Sequence, residues 1–160
     1  MKKKILLILL ILQIFIGYIF AQKSIIFINE LKILDSAFYQ VLDTVMFYEK
    51  QSIYYTNSLS YGIFPFKNIT TNGDSILCIK IEGYPDKDIF IEDNRAKGYL
   101  LYKNHYFFVT NNLSLLNKFA LPTKCGKNFD YYLDFIASED DRWAIYIFIY
   151  YCGKFVLYDW

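Results

Sequence analysis

WAIYIFIYYCGKFVLYDW, residues 143–160, is the stretch on which the fold turns. Ile145, Ile147 and Ile149 alternate with Tyr146, Phe148 and Tyr150. A strand that is apolar on both faces sits inside its sheet rather than at an edge. Cys152-Gly153 then turns the chain, and Lys154 to Trp160 returns as a last strand, with Phe155 and Leu157 on the side of Tyr146, Phe148 and Tyr150. Just upstream, Phe129, Tyr131, Leu133 and Phe135 alternate with Asp130, Tyr132 and Asp134, the period of a half-buried strand. Ser138 to Arg142 supplies a polar turn between them. These three segments read as an antiparallel meander.

The middle of the chain continues in the same manner. Ser58 to Phe66 is a strand interrupted by Gly62 and Pro65, which predicts an edge position because proline has no N–H to give a ladder. Asn72-Gly73-Asp74 is a turn, and Ser75 to Glu82 a strand that ends over Gly83 to Asp88. Ile89, Phe90 and Ile91 suggest a short extra strand. Tyr99 to Thr110 reads as a hairpin with Lys103-Asn104 at its tip, since asparagine tolerates the positive φ of tight hairpins. Asn112 to Leu121 fits a short helix stopped before Pro122.

Ahead of the strands, Leu31, Leu34, Phe38, Val41, Leu42 and Val45 recur at three- and four-residue spacing. That spacing predicts an amphipathic helix of about 20 residues, capped by Asn29, with Glu30 in its first turn and Lys50 near its end. The expected architecture is α+β: one N-terminal helix packed on a curved, mainly antiparallel sheet of about five to seven strands.

The first residues do not belong to that domain. Lys2, Lys3 and Lys4 precede a 16-residue run, Ile5 to Phe20, broken only by Gln13 and Gly17, and Ala21 is small. A charged start, a short apolar run and a small residue at the cut describe a secretory signal peptide over 1–21. The run is shorter than the roughly 20 residues a membrane-crossing helix needs, so no stable span is expected once the leader is cut. The remaining 139 residues, 22–160, suffice for one globular domain. The predicted address is the periplasm or the extracellular space, and a Lys-, Ile-, Asn- and Tyr-rich composition suits a bacterial exporter.

Without the leader's three lysines, 14 basic side chains face 16 acidic ones, and no basic stripe is present. Nucleic acid is therefore not an expected partner. Cys125 and Cys152 each begin a Cys-Gly-Lys tripeptide, and both read as accessible turn positions in an oxidising compartment. They are the expected disulfide, worth about 3.5 kcal/mol for such a loop on the chain-entropy model, with three free thiols as the alternative. Cys78 lies within an apolar strand and reads as a small buried hydrophobe.

Catalytic equipment is sparse. His105 is the sole histidine, and its place at a hairpin tip suggests a solvated turn residue more than an acid or base. One histidine excludes a multi-histidine metal site. The acidic groups Asp86-Lys87-Asp88 with Glu92-Asp93, and Glu139-Asp140-Asp141, lack calcium-loop spacing. Asp130 and Asp134 share a strand face about 13 Å apart, too far for a glycosidase pair. No glycine-rich phosphate loop occurs, so no cofactor is expected. Asn68-Ile69-Thr70 and Asn112-Leu113-Ser114 fit the N-glycosylation pattern, which matters in a eukaryotic secretory route.

Tyr146, Phe148, Tyr150 and Phe155 form an aromatic face that needs a cover if the isoleucine face packs on the helix. That cover is either a second small core under residues 111–128 or a partner. Three functions follow. The first is a non-catalytic exported protein that binds a protein partner, as an immunity protein, inhibitor or envelope accessory factor. The second is a small-molecule or glycan binder using the aromatic-lined sheet face. The third is an enzyme resting on His105.

Overall fold

The computed structural model describes residues 23–52, 59–85, 87–91, 95–132 and 144–158. The leader 1–21, positions 133–143 with their acidic turn, Asp86, Glu92, Asp93 and Trp160 lie outside the described residues.

Eight strands form one sheet: β1 (Lys23–Ile33), β2 (Ser60–Ile69), β3 (Ser75–Tyr84), β4 (Ala96–Tyr102), β5 (His105–Thr110), β6 (Ala120–Tyr132), β7 (Ala144–Tyr151) and β8 (Lys154–Leu157). Their order is β6-β1-β4-β5-β2-β3-β7-β8. β1–β4 and β2–β5 are parallel, and the other neighbours are antiparallel. Among the described residues, one 16-residue helix, α1 (Ser36–Gln51), and a helical turn, α2 (Asp88–Ile91), complete the regular structure with a 3-10 turn at Leu113–Leu116. The class is α+β on a mostly antiparallel sheet.

The tight turns follow the local chemistry. Lys103 (φ 48°) and Asn104 (φ 67°) both sit in the left-handed region, as a two-residue hairpin demands, and Cys152 (49°) and Gly153 (82°) repeat the geometry between β7 and β8. Gly73 has φ 84°, and the Thr70 N–H donates to Asp74 O across that turn.

The helix starts later than its periodicity suggests. Asn29 and Glu30 lie in β1, and the cap is Asp35, whose Oδ1 accepts the Ala37 N–H at 2.8 Å. Leu31 fits the helical spacing by coincidence. Ten register positions against β6 hold residues 23–33 extended, and Leu31 and Ile33 reach the same core from a strand.

Four further expectations are corrected. β2 is interior, flanked by β3 and β5. Its parallel register with β5 ends at Ile63, before Pro65, so the missing N–H breaks no bond on that side. Phe129 to Tyr132 does not join β7 and β8 in a meander, because β6 pairs with β1 at the other end of the strand order. Residues 89–91 are a helical turn and not a strand. The segment 112–121 holds only the 3-10 turn before β6 begins, and Pro122 sits in an edge strand, where proline is tolerated.

Two cores lie on the two faces of the sheet. On the inner face, Phe38, Val41, Leu42, Val45 and Met46 of α1 pack on Tyr61, Ile63, Ile79, Ile81, Phe107 and Phe148. Phe119, just before β6, lies 4.9 Å ring to ring from Tyr150 on β7 and 5.0 Å from Phe155 on β8. The two ends of the strand order therefore meet beside the helix, and the sheet curls around α1. On the outer face, Phe90 and Ile91 of α2 cover Tyr84, Phe108 and Phe129. Gly62 permits this, since a Cβ there would lie 2.3 Å from the Phe90 ring.

Candidate functional site

The aromatic row of β7 shares a face with β8, as the alternation predicts: Phe148 stands opposite Leu157 and Tyr150 opposite Phe155. That face is the inner one. Phe148 and Phe155 are buried in the main core, and Tyr146 and Tyr150 are half-buried against it. The row is closed by α1 and by Leu116 and Phe119, so Phe148 and Phe155 are not available at the surface. Long aromatic side chains span the gap to the helix, while the shorter isoleucines are turned outward.

Among the described residues, that outward face is left open. Ile145 is 49% exposed, Tyr151 63%, Val156 46% and Tyr158 49%, with Ile147 and Ile149 half-buried between them. Val156 stands opposite Ile149, and the Tyr158 N–H donates to Ile147 O at 2.7 Å, so these side chains form one surface at the β8 end of the sheet. Further along the same face, Lys80 lies 2.9 Å from the buried Glu82, whose other oxygen accepts from the Tyr84 hydroxyl at 3.3 Å.

Beneath the inner core lies a polar knot. Glu49, in the last turn of α1, is 2% exposed. Its Oε1 accepts from the Tyr146 hydroxyl at 2.6 Å and its Oε2 from the Tyr61 hydroxyl at 3.4 Å. Burial, and then the bond to Glu49, push the Tyr146 hydroxyl far above the usual tyrosine range. His105 adjoins the knot and is not a solvated tip residue: it is 3% exposed, its Nδ1 lies 3.2 Å from Leu59 O, and its ring meets Tyr61 edge-on. The side chain next to the hairpin turn points inward because the β5 position opposite Tyr102 faces the helix layer. Glu49 was legible as an anomaly, a charge on the helical stripe that contains Phe38, Val41, Leu42, Val45 and Met46.

A cleft opens where β1 and β4 diverge, since their parallel register is limited to Glu30 and Tyr99. Its volume is about 390 Å³, and Tyr39, Tyr102, Leu101, Glu30, Thr123 and Cys125 are among its walls. The Tyr102 hydroxyl is held by Asp43 at 2.6 Å, and Lys103 pairs with the same carboxylate. Lys103, then Tyr102, hold the Asp43 carboxyl below its ordinary range.

The predicted Cys125–Cys152 bridge is not formed. Cys125 lies extended on β6 and Cys152 in the β7–β8 turn, and both thiols are free and exposed. Only the second Cys-Gly-Lys makes a turn. Cys78 is buried, which raises its thiol pKa. Among the described residues no cluster of acids, histidine or cysteines is arranged to hold a metal ion. No helix among them is long and apolar enough to cross a membrane. No protein-family model, no curated protein and no solved structure matches the chain.

Proposed function

We propose that this chain is an exported, non-catalytic protein that acts in the periplasm or outside the cell by binding another protein, as an immunity protein, an inhibitor or an envelope accessory factor. The leader 1–21 supports the address. The observation that carries the binding reading is the outward β7–β8 face, where Ile145, Tyr151, Val156 and Tyr158 lie together in water. Contiguous apolar area of this kind on a small domain is a mark of interaction surfaces, and tyrosine beside aliphatic side chains is what interface centres favour. The non-catalytic part rests on His105, which is buried at a backbone carbonyl rather than poised in a cleft.

The test is affinity capture of the tagged full chain from envelope and medium, side by side with an Ile145→Lys/Val156→Lys double variant checked for an unchanged circular dichroism spectrum. The expected result is one stoichiometric protein that copurifies with the wild type and is lost from the double variant. A partner retained equally by both removes this face from the reading. A second reading, a small-ligand binder, is favoured by one feature, the β1–β4 cleft with Tyr39 and Tyr102 on its wall. It predicts that Tyr102→Ala abolishes binding while the double variant leaves it intact.

A further inference from the structure

We propose that Asn68 and Asn112 are acceptors of N-linked glycans. The proposal rests on the exported reading and takes its extracellular address by a eukaryotic secretory route, where this acceptor pattern is read, in place of the bacterial exporter that the composition suits. Both triplets, Asn68-Ile69-Thr70 and Asn112-Leu113-Ser114, have a residue other than proline in the middle, as the acceptor pattern requires.

The fold places both where a transferase can reach them. Asn68 is exposed near the end of β2, beside the turn that leads to β3. Its Oδ1 accepts the Ile69 N–H at 2.9 Å, and its Nδ2 donates no hydrogen bond among the described residues. Asn112 is exposed just after β5, and among the described residues its Nδ2 makes only a long 3.5 Å contact to Pro65 O. Because β2 and β5 are parallel neighbours, their C-terminal ends lie at one end of the sheet, and so do both acceptors. Ile69, the middle residue of the first triplet, is 73% exposed, the highest value among the large apolar side chains of the described residues. An aliphatic side chain held this far into water at a hairpin end is what a neighbouring glycan would shield. A glycan is bulky and solubilising, and because Asn68 pairs with Ile76 on β3, the strand beside β7, its glycan borders the Tyr151 end of the outward β7–β8 face.

The donor is a lipid-pyrophosphate-linked oligosaccharide. Asparagine Nδ2 attacks the anomeric carbon of the first sugar, and a new N–C bond forms. The bond from that carbon to the pyrophosphate oxygen breaks, and the lipid pyrophosphate leaves with the electron pair. The proton lost from Nδ2 balances its charge. No oxidant or reductant is needed.

The experiment expresses the tagged full chain in its source organism, as wild type, Asn68→Gln, Asn112→Gln and the double variant. Each is sequenced at its N-terminus and run on a gel before and after peptide N-glycosidase. The expected result is an exported chain beginning at Gln22 with two mobility steps. One step is lost in each single variant and both in the double variant, and glycosidase treatment brings the wild type to the mobility of the double variant. An exported, processed chain whose mobility neither the variants nor the glycosidase changes overturns the glycan proposal alone. A cell-retained chain that still begins at Met1 overturns the exported reading, and the proposal with it.

Discussion

Tyr146→Phe removes one oxygen and is expected to cost far more than its size suggests. The hydroxyl donates at 2.6 Å to Glu49 Oε1, and Glu49 is 2% exposed. With it gone, the carboxylate keeps, among the described residues, only the 3.4 Å bond from Tyr61. Hydrogen bonds to charged groups contribute about 1.5–3 kcal/mol, and a buried charge left short of donors cannot turn to water for a replacement. We predict a loss of about 2 kcal/mol. With a urea m-value of about 2 kcal/mol/M, the unfolding midpoint falls by about 1 M. Urea titration followed by circular dichroism and by tyrosine fluorescence tests both the shift and the two-state assumption. Tyr39→Phe, at an exposed ring, is the control and should move stability by less than about 0.5 kcal/mol. Glu49→Gln keeps an acceptor for Tyr146 but removes the charge, so a double-mutant cycle between the two positions should give a coupling of about 1 kcal/mol, the charge-dependent part of the bond. A Tyr146→Phe shift no larger than that of Tyr39→Phe would refute the account of the knot.

The same pair sets a pH dependence. The folded Tyr146 holds its proton well above the ordinary tyrosine value near 10, so above that pH the unfolded chain loses a proton that the folded chain keeps, and stability falls. Tyr146→Phe should flatten that alkaline decline, measured as the urea midpoint against pH. Gly62→Ala should lower stability by about 1–3 kcal/mol, since its Cβ would meet the buried Phe90 ring and the Phe64 ring, and a melting temperature equal to wild type would contradict the packing. In the folded chain, a thiol reagent should label Cys125 and Cys152 rapidly and Cys78 only on unfolding. Quantitative labelling by intact mass checks this, and an unlabelled pair would restore the disulfide.

What the sequence revealed was mostly local. Lys103-Asn104, Cys152-Gly153 and Asn72-Gly73 mark turns because positive φ restricts which residues stand there, and all three turns form. The apolar stripe of α1 was legible because its three- and four-residue spacing is local as well. The start of α1 was obscured because Leu31 satisfies a helical period from within a strand, while Asp35, the side chain that caps the helix, lies outside the apolar pattern. The two parallel pairings could not be inferred, since each joins strands separated by other elements and leaves no turn to read. The faces of β7 posed a different difficulty. Both are apolar, so periodicity identifies two sets without assigning either. The assignment depends on Phe119 and α1 meeting the aromatic set, which are contacts distant in sequence. For that reason the surface row of Ile145, Ile147, Ile149 and Tyr151 emerged only with the fold, although its residues were visible as a pattern from the start.

The central claim is that the chain is exported, trimmed and engaged with another protein. Native mass spectrometry of the tagged chain, purified gently from envelope and medium, tests all three parts in a single spectrum. The account predicts a polypeptide that begins at Gln22, in a one-to-one complex with a second protein, that separates on collisional activation. A full-length chain from Met1, flying as a bare monomer, would contradict it.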